Sequence, residues 1–316
     1  MFDQNTNKLS NGGAFGLLIG LTGVGLIAGT ILSVGVWVLM TGKSVLSMET
    51  ELMKPENVNA IKIIQVVSTF VTFFVPAWLT ARIANKQPFR WLGFNNHFNV
   101  KQFGVALLIM LACIPLVSSL ATLNEILPIP AKWATTFRSL EDKYDDQVQV
   151  LSVIKTFGDY ISALLIMAIL PAIFEETLFR GGMQNILTRW LKSPWPAILI
   201  TSFLFSAVHI SYYGFLPRFA LGIVLGLLYY YSQNIWINIF AHALNNSLVI
   251  TQMYLNSING KPAKDALDDN LPLWWGIVGI VFVTALMWVY KRVSEREAVR
   301  WPEPEQQSLI ENKWTT

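Results

Sequence analysis

The sequence predicts an all-α polytopic membrane protein with about eight transmembrane helices. Long apolar runs are the first reason: 53% of the 316 residues are hydrophobic and mean hydropathy is +0.46. Charge is the second. Only 14% of residues are charged, against roughly 25% in an ordinary soluble domain, and they cluster between the apolar runs. The third is a small set of ionisable residues inside those runs, Glu175, Glu176, Arg180, His209 and His242. Charge in a transmembrane span is costly, so it marks a functional site whose members are one another's partners.

The apolar runs place helices at about 14–41, 60–82, 103–124, 150–174, 195–212, 216–232, 235–255 and 272–290. Each is near or above the ~20 residues that cross a bilayer, the sixth being the shortest. The first run is too long for a signal-peptide core and has no convincing cleavage site, so it is read as a retained span. Residues 127–149 mix Pro128, Pro130 and Trp133 with many charges. They are read as an interfacial loop with a short helix, a surface helix in preference to a lid. Residues 256–271 are a polar loop, and the tail begins near 291. Three regions follow: 1–149, a three-helix membrane region with the interfacial loop; 150–255, a helical core that holds the site; and 256–316, the last transmembrane helix and tail. The single cysteine, Cys113, lies in an apolar stretch, so no disulfide staples the fold.

Charge placement gives an orientation. With the N-terminus inside, the inner segments hold 13 Lys and Arg and the outer segments eight, which favours cytoplasmic termini at both ends. The formal charge of +3 and pI ≈ 8.9 are therefore topological information, and no nucleic-acid partner is expected. The chain ends Lys313, Trp314, Thr315, Thr316 with no eukaryotic retention signal. A bacterial cell (plasma) membrane is the expected location.

Three strings carry the chemistry. In EETLFR, Glu176 and Arg180 are four apart with the acid first, the favourable order for a helical ion pair. That pair spares Arg180 from being a bare buried charge, while Glu175 lies about 100° around the helix, free to face something else. In FSAVH, Phe205 precedes His209 by one turn. Counting from Lys192 in the turn between the two helices, Glu175 is 17 residues back and His209 is 17 forward. In a hairpin helical throughout, those two stand at equal depth. In HALNN, His242 and Asn246 are four apart on one face, and neither can be left unpaired in lipid without a cost of a few kcal/mol, roughly. Asn245 points elsewhere. His97 is assigned no role. The active site is thus expected between helices four, five and seven.

These strings resemble the signature of the CPBP family, the CAAX prenyl-protein processing and bacteriocin-processing intramembrane proteases: EExxxR, FxxxH and HxxxN or HxxxD. Glu175, Glu176 and Arg180 match the first, Phe205 and His209 the second, His242 and Asn246 the third. The likeness spans about 175–246. It implies an intramembrane endopeptidase in which Glu175 and His209 activate water and His242 and Asn246 stabilise the oxyanion. Glu176, Arg180 and Phe205 support them.

The resemblance leaves the metal question open, because the family carries the label metalloprotease while its motifs are also read as a metal-free glutamate-centred site. No HExxH string is present, so no cofactor is favoured. The alternative is zinc on Glu175, His209 and His242. Partners implied are a membrane protein or lipidated peptide substrate and the bilayer itself. Two other classes use similar residues. One is a non-catalytic peptide-binding or immunity protein on the same scaffold. The other is a proton- or cation-coupled transporter, which intramembrane acids and imidazoles also suit, although no internal duplication is visible.

Overall fold

A computed structural model describes residues 9–151, 154, 156–261 and 271–300. Lys8, Lys264, the tail's Lys313 and the closing residues 314–316 lie outside them. Nine long helices follow one another among the described residues: α1 (Asn11–Thr41), α2 (Pro55–Ala84), α3 (Val100–Ile126), α4 (Ala131–Leu151), α5 (Phe157–Leu191), α6 (Pro194–Ala207), α7 (Phe215–Ser232), α8 (Ile235–Ile258) and α9 (Trp274–Arg300). No β-strand occurs among the described residues.

Six of the nine, α1, α2, α3, α5, α7 and α9, are long and apolar enough to cross a membrane. The chain is a multi-pass membrane protein. The expected count of eight is not reached on those terms, for two physical reasons. α6 has only 14 residues, about 21 Å at 1.5 Å per residue. α8 is long enough but carries Asn238, His242, Asn245 and Asn246.

Two neighbouring helices differ from the sequence expectation, and the last helix runs to Arg300 where 290 was expected. The helix expected at 150–174 runs from Phe157 to Leu191, because Glu176, Arg180 and Gln184 find partners inside the bundle and do not end it. Its start is written in a capping box. Thr156 Oγ1 accepts from the Asp159 N–H at 3.1 Å, and Asp159 Oδ2 accepts from the Thr156 N–H at 2.9 Å. The helix expected at 195–212 stops at Ala207. Between the two arms Lys192 is left-handed (φ 52°), Ser193 is extended, and Pro194 opens α6, where its missing N–H costs nothing.

Stretches of π-helix interrupt two spans, at Phe70–Phe74 in α2 and at Leu164–Ile169 and Thr177–Gln184 in α5. Such bulges are rare and gather at functional sites. The last of them begins one residue after Glu176.

Two apolar clusters flank the middle of the bundle. One joins α1, α2, α5 and α6 through Leu18, Ala77, Ala81, Phe179, Met183 and Phe205. The other joins α3, α7, α8 and α9 through Ile109, Met110, Cys113, Leu225, Ile237 and Tyr290. With lipid outside, no hydrophobic gradient drives helices together, so close approach through small residues does. α7 meets α6 at Gly222 and Gly226, where an added methyl would stand 2.8 Å from Ser202 Cβ and 2.8 Å from Ile198 Cγ2. Gly181 in turn lies against the Leu92 carbonyl oxygen, 2.6 Å from where a Cβ would be.

Gly222→Val should force α6 and α7 apart. The expected cost is that of overpacking a core, about 1–3 kcal/mol, read as a lower detergent unfolding midpoint than for Gly104→Val, whose Cβ would meet open space.

Candidate active site

α5 carries the first string through the centre of the bundle. Glu176 and Arg180 are both fully buried, and Arg180 Nη1 donates to Glu176 Oε1 at 2.7 Å. The ion pair expected from the i, i+4 spacing is therefore present. Arg180 Nη2 donates to the Gly222 carbonyl on α7 at 3.1 Å, and its guanidinium lies 4.7 Å from the Phe205 ring centroid on α6. One turn along, Gln184 Nε2 donates to the Gly226 carbonyl at 2.9 Å. The two glycines that let α6 approach α7 thus also present their carbonyls to α5.

Glu176 does more than brace. Its Oε1 also accepts from His242 Nδ1 at 2.8 Å, and Asn238 Nδ2 approaches Oε2 at 3.3 Å. Asn238 donates again to the Leu225 carbonyl at 2.6 Å. Three donors therefore surround one carboxylate and fix the tautomer and orientation of His242. Asn238 was not among the residues singled out from sequence. Its signal was there to be read: Asn238, His242 and Asn246 stand at successive four-residue steps on α8.

Glu175 is buried as well, with Oε2 lacking any hydrogen-bond partner. His242 Nε2 stands 3.8 Å from that oxygen. A carboxylate oxygen is rarely left so in a protein interior. This one faces the free side of an imidazole whose other nitrogen is already held.

Phe205 is the ring on which the site is assembled. It meets Phe179, His209 and His242 edge-on, at centroid separations of 5.2, 5.1 and 5.7 Å. His209 stands past the last turn of α6, with Nδ1 2.7 Å from the Phe205 carbonyl oxygen. No hydrogen bond joins His209 to Glu175 among the described residues. The condition for equal depth, two arms helical throughout, is not met: α5 contains a π stretch and α6 ends at Ala207. Asn246 is half-buried one turn beyond His242, and no hydrogen bond joins the two among the described residues. Asn245 Nδ2 donates to Asn246 Oδ1 at 3.3 Å, which leaves the amide N–H end of Asn246 to donate elsewhere. His97, in the loop before α3, has its carbonyl bound by Asn234 Nδ2 at 2.8 Å.

The zinc alternative on Glu175, His209 and His242 does not fit this arrangement. Among the described residues no three His, Cys, Asp or Glu side chains come together to hold a metal.

Residues 157–248 match the family model described as type II CAAX prenyl endopeptidase Rce1-like. They form a CPBP-family core. This core runs from the start of α5 into α8 and holds all seven motif residues, Glu175, Glu176, Arg180, Phe205, His209, His242 and Asn246. A stretch of 59 residues is also 46% identical to an uncharacterized 24.3 kDa protein of Escherichia coli, covering 18% of this chain and 27% of that protein. The chain thus spans about a quarter of that relative's length. No solved structure matches it.

Glu176→Ala in the CPBP core should strand Arg180 as an uncompensated buried charge. Losing one partner of a buried pair costs about 3–5 kcal/mol, seen as poor recovery of monodisperse protein. Adding Arg180→Met to that variant should recover part of the yield.

Proposed function

We propose that this chain is an intramembrane endopeptidase that hydrolyses peptide bonds of membrane-associated or lipidated substrates. The observation that carries the reading is the contrast between two adjacent carboxylates. Glu176 is held by Arg180, His242 and Asn238, whereas Glu175 Oε2 is buried without a hydrogen-bond partner. One acid is structural and the other is available for chemistry. The family match supports the same class, a CAAX-type protease.

In the proposed reaction Glu175, aided by His209, takes a proton from water as its oxygen attacks the scissile carbonyl carbon. The carbonyl π electrons move to oxygen. Asn246 donates to that oxyanion, and so does His242 from Nε2. Its Nδ1 is held by Glu176, so Nε2 is the nitrogen turned to the substrate, donating when it carries a proton. Collapse of the intermediate breaks the C–N bond, and the proton held by Glu175 passes to the leaving amine. A positioned base contributes on the order of 10²–10⁴ in rate.

The substrate enters from the bilayer between helices, which suits a single-span protein, a leader peptide or a peptide carrying a lipid chain. The site lies in a bacterial plasma membrane with both termini cytoplasmic, as the 13-to-8 distribution of basic residues favours.

Cleavage of a quenched-fluorescent peptide library, prenylated C-terminal peptides included, tests the reading with detergent-purified protein. Wild type should cleave some members and Glu175→Gln none, with unfolding midpoints alike. Silence from a folded wild type would favour a peptide-binding protein instead. Loss in Glu176→Gln with full activity in Glu175→Gln would reverse the two roles.

His242→Ala and Asn246→Ala should each lower kcat by about 10²–10³, the value of one oxyanion donor. Their KM should change little, because the interaction is made in the transition state.

A further inference from the structure

The amphipathic helix α4 lies outside the CPBP core, yet one of its faces grips the loop that carries His209. Phe137 stacks on Tyr212, centroids 5.0 Å apart and planes within 14°. Arg138 lies 5.9 Å from the Tyr213 ring centroid. Both carboxylate oxygens of Glu141 accept from Ser211 Oγ, at 2.9 and 3.1 Å. Trp133 stacks on Phe137 from the preceding turn. Residues 133, 137 and 141 are successive four-residue steps, one stripe of the helix.

The gripped loop is short and begins at the site. His209 is followed by Ile210 at φ 51°, a left-handed conformation that a β-branched residue adopts only when its surroundings hold it there. Ser211, the next residue, is buried and accepts from the Gly214 N–H at 3.0 Å while donating to Glu141. The loop therefore has one internal clamp and one external one. The external clamp is α4.

We infer that α4 is the positioning element for His209, with Glu141 and Phe137 as positioning residues that act through Ser211 and Tyr212. The inference rests on the proteolytic reading for its catalytic consequence, but not for its structural one. α4 is not a lid that must lift for each substrate. It is a fixed buttress, and the imidazole it steadies is held from two sides, by the Phe205 carbonyl and by the loop that follows.

Two readouts separate this inference from the proposed function. The first needs no substrate: the rate of diethylpyrocarbonate modification of His209, followed by mass spectrometry on the full-length protein. It should rise several-fold in Glu141→Ala and in Ser211→Ala, and return toward wild type in Ser211→Thr, which keeps the hydroxyl. An unchanged rate in both overturns the inference. A raised rate in a protein whose wild type cleaves nothing leaves the buttress standing and sinks the protease reading.

The second is kinetic. Misplacing a catalytic group by about 1 Å costs up to 10²-fold, so kcat should fall by up to that factor in Glu141→Ala with KM within about twofold. The double variant Phe137→Cys/Tyr212→Cys, with Cys113→Ser, ties the helix to the loop. Its disulfide-bonded form should cleave at least as well as its reduced form, in which the Phe137–Tyr212 stack is gone. Loss of cleavage on oxidation, restored by reductant, would show α4 to be a moving lid and overturn the inference.

Discussion

A guanidinium and a carboxylate buried together in the middle of a helix bundle constrain everything around them. Neither Arg180 nor Glu176 can be left with an unmatched charge in an apolar medium, so each neighbouring element must bring a dipole or a ring to a fixed place. α7 brings the Gly222 carbonyl, α6 the face of Phe205, and α8 the side chains of His242 and Asn238. Four helices are thereby set in register by one ion pair. The orientation of His242 comes from the same source, since the carboxylate that neutralises Arg180 also holds Nδ1.

The glycines of α7 show how backbone economy serves a polar site. At Gly222 and Gly226 the absence of a side chain lets α6 pack at van der Waals distance on one flank. The carbonyls of the same two residues accept from Arg180 and Gln184 on the other. A carbonyl has two lone pairs, so it can receive a second donor without leaving its own helical bond. The bundle thus satisfies a buried cation partly with backbone, without a further acidic side chain that would itself have needed neutralising.

Much of this was legible in the sequence, and the limits were physical. Apolar runs located the spans because water-free surroundings demand them. The four-residue spacing of Glu176 and Arg180 announced their bond because a helix has only one way to place such residues. The length of α5 was not legible. Glu175, Glu176, Arg180 and Gln184 look like the polar end of a span when read singly, and only the partners that Glu176, Arg180 and Gln184 find within the bundle carry the helix on to Leu191. The depth count for His209 met a related limit. Residue counting assumes a uniform rise, which the π stretch of α5 and the early end of α6 both violate. Asn238 was overlooked although its spacing was visible, and the docking of Glu141 on Ser211 joins residues 70 apart that no local pattern connects.

The π-helical stretch at Thr177–Gln184 has a bearing on ancestry. A π turn closes over one more residue than an α turn, and one residue is about 100° of helical azimuth. The acids upstream and the Gln184 side chain downstream therefore keep faces that an uninterrupted α-helix would not give them. A lineage that gains or loses a single residue here does not break the span. It rotates one half of the helix against the other, and so re-aims Glu175 relative to the carbonyls of α7 while every side chain stays the same. Length variation of one residue, ordinarily a feature of loops, becomes at this point of the chain a means of reshaping a site inside the membrane.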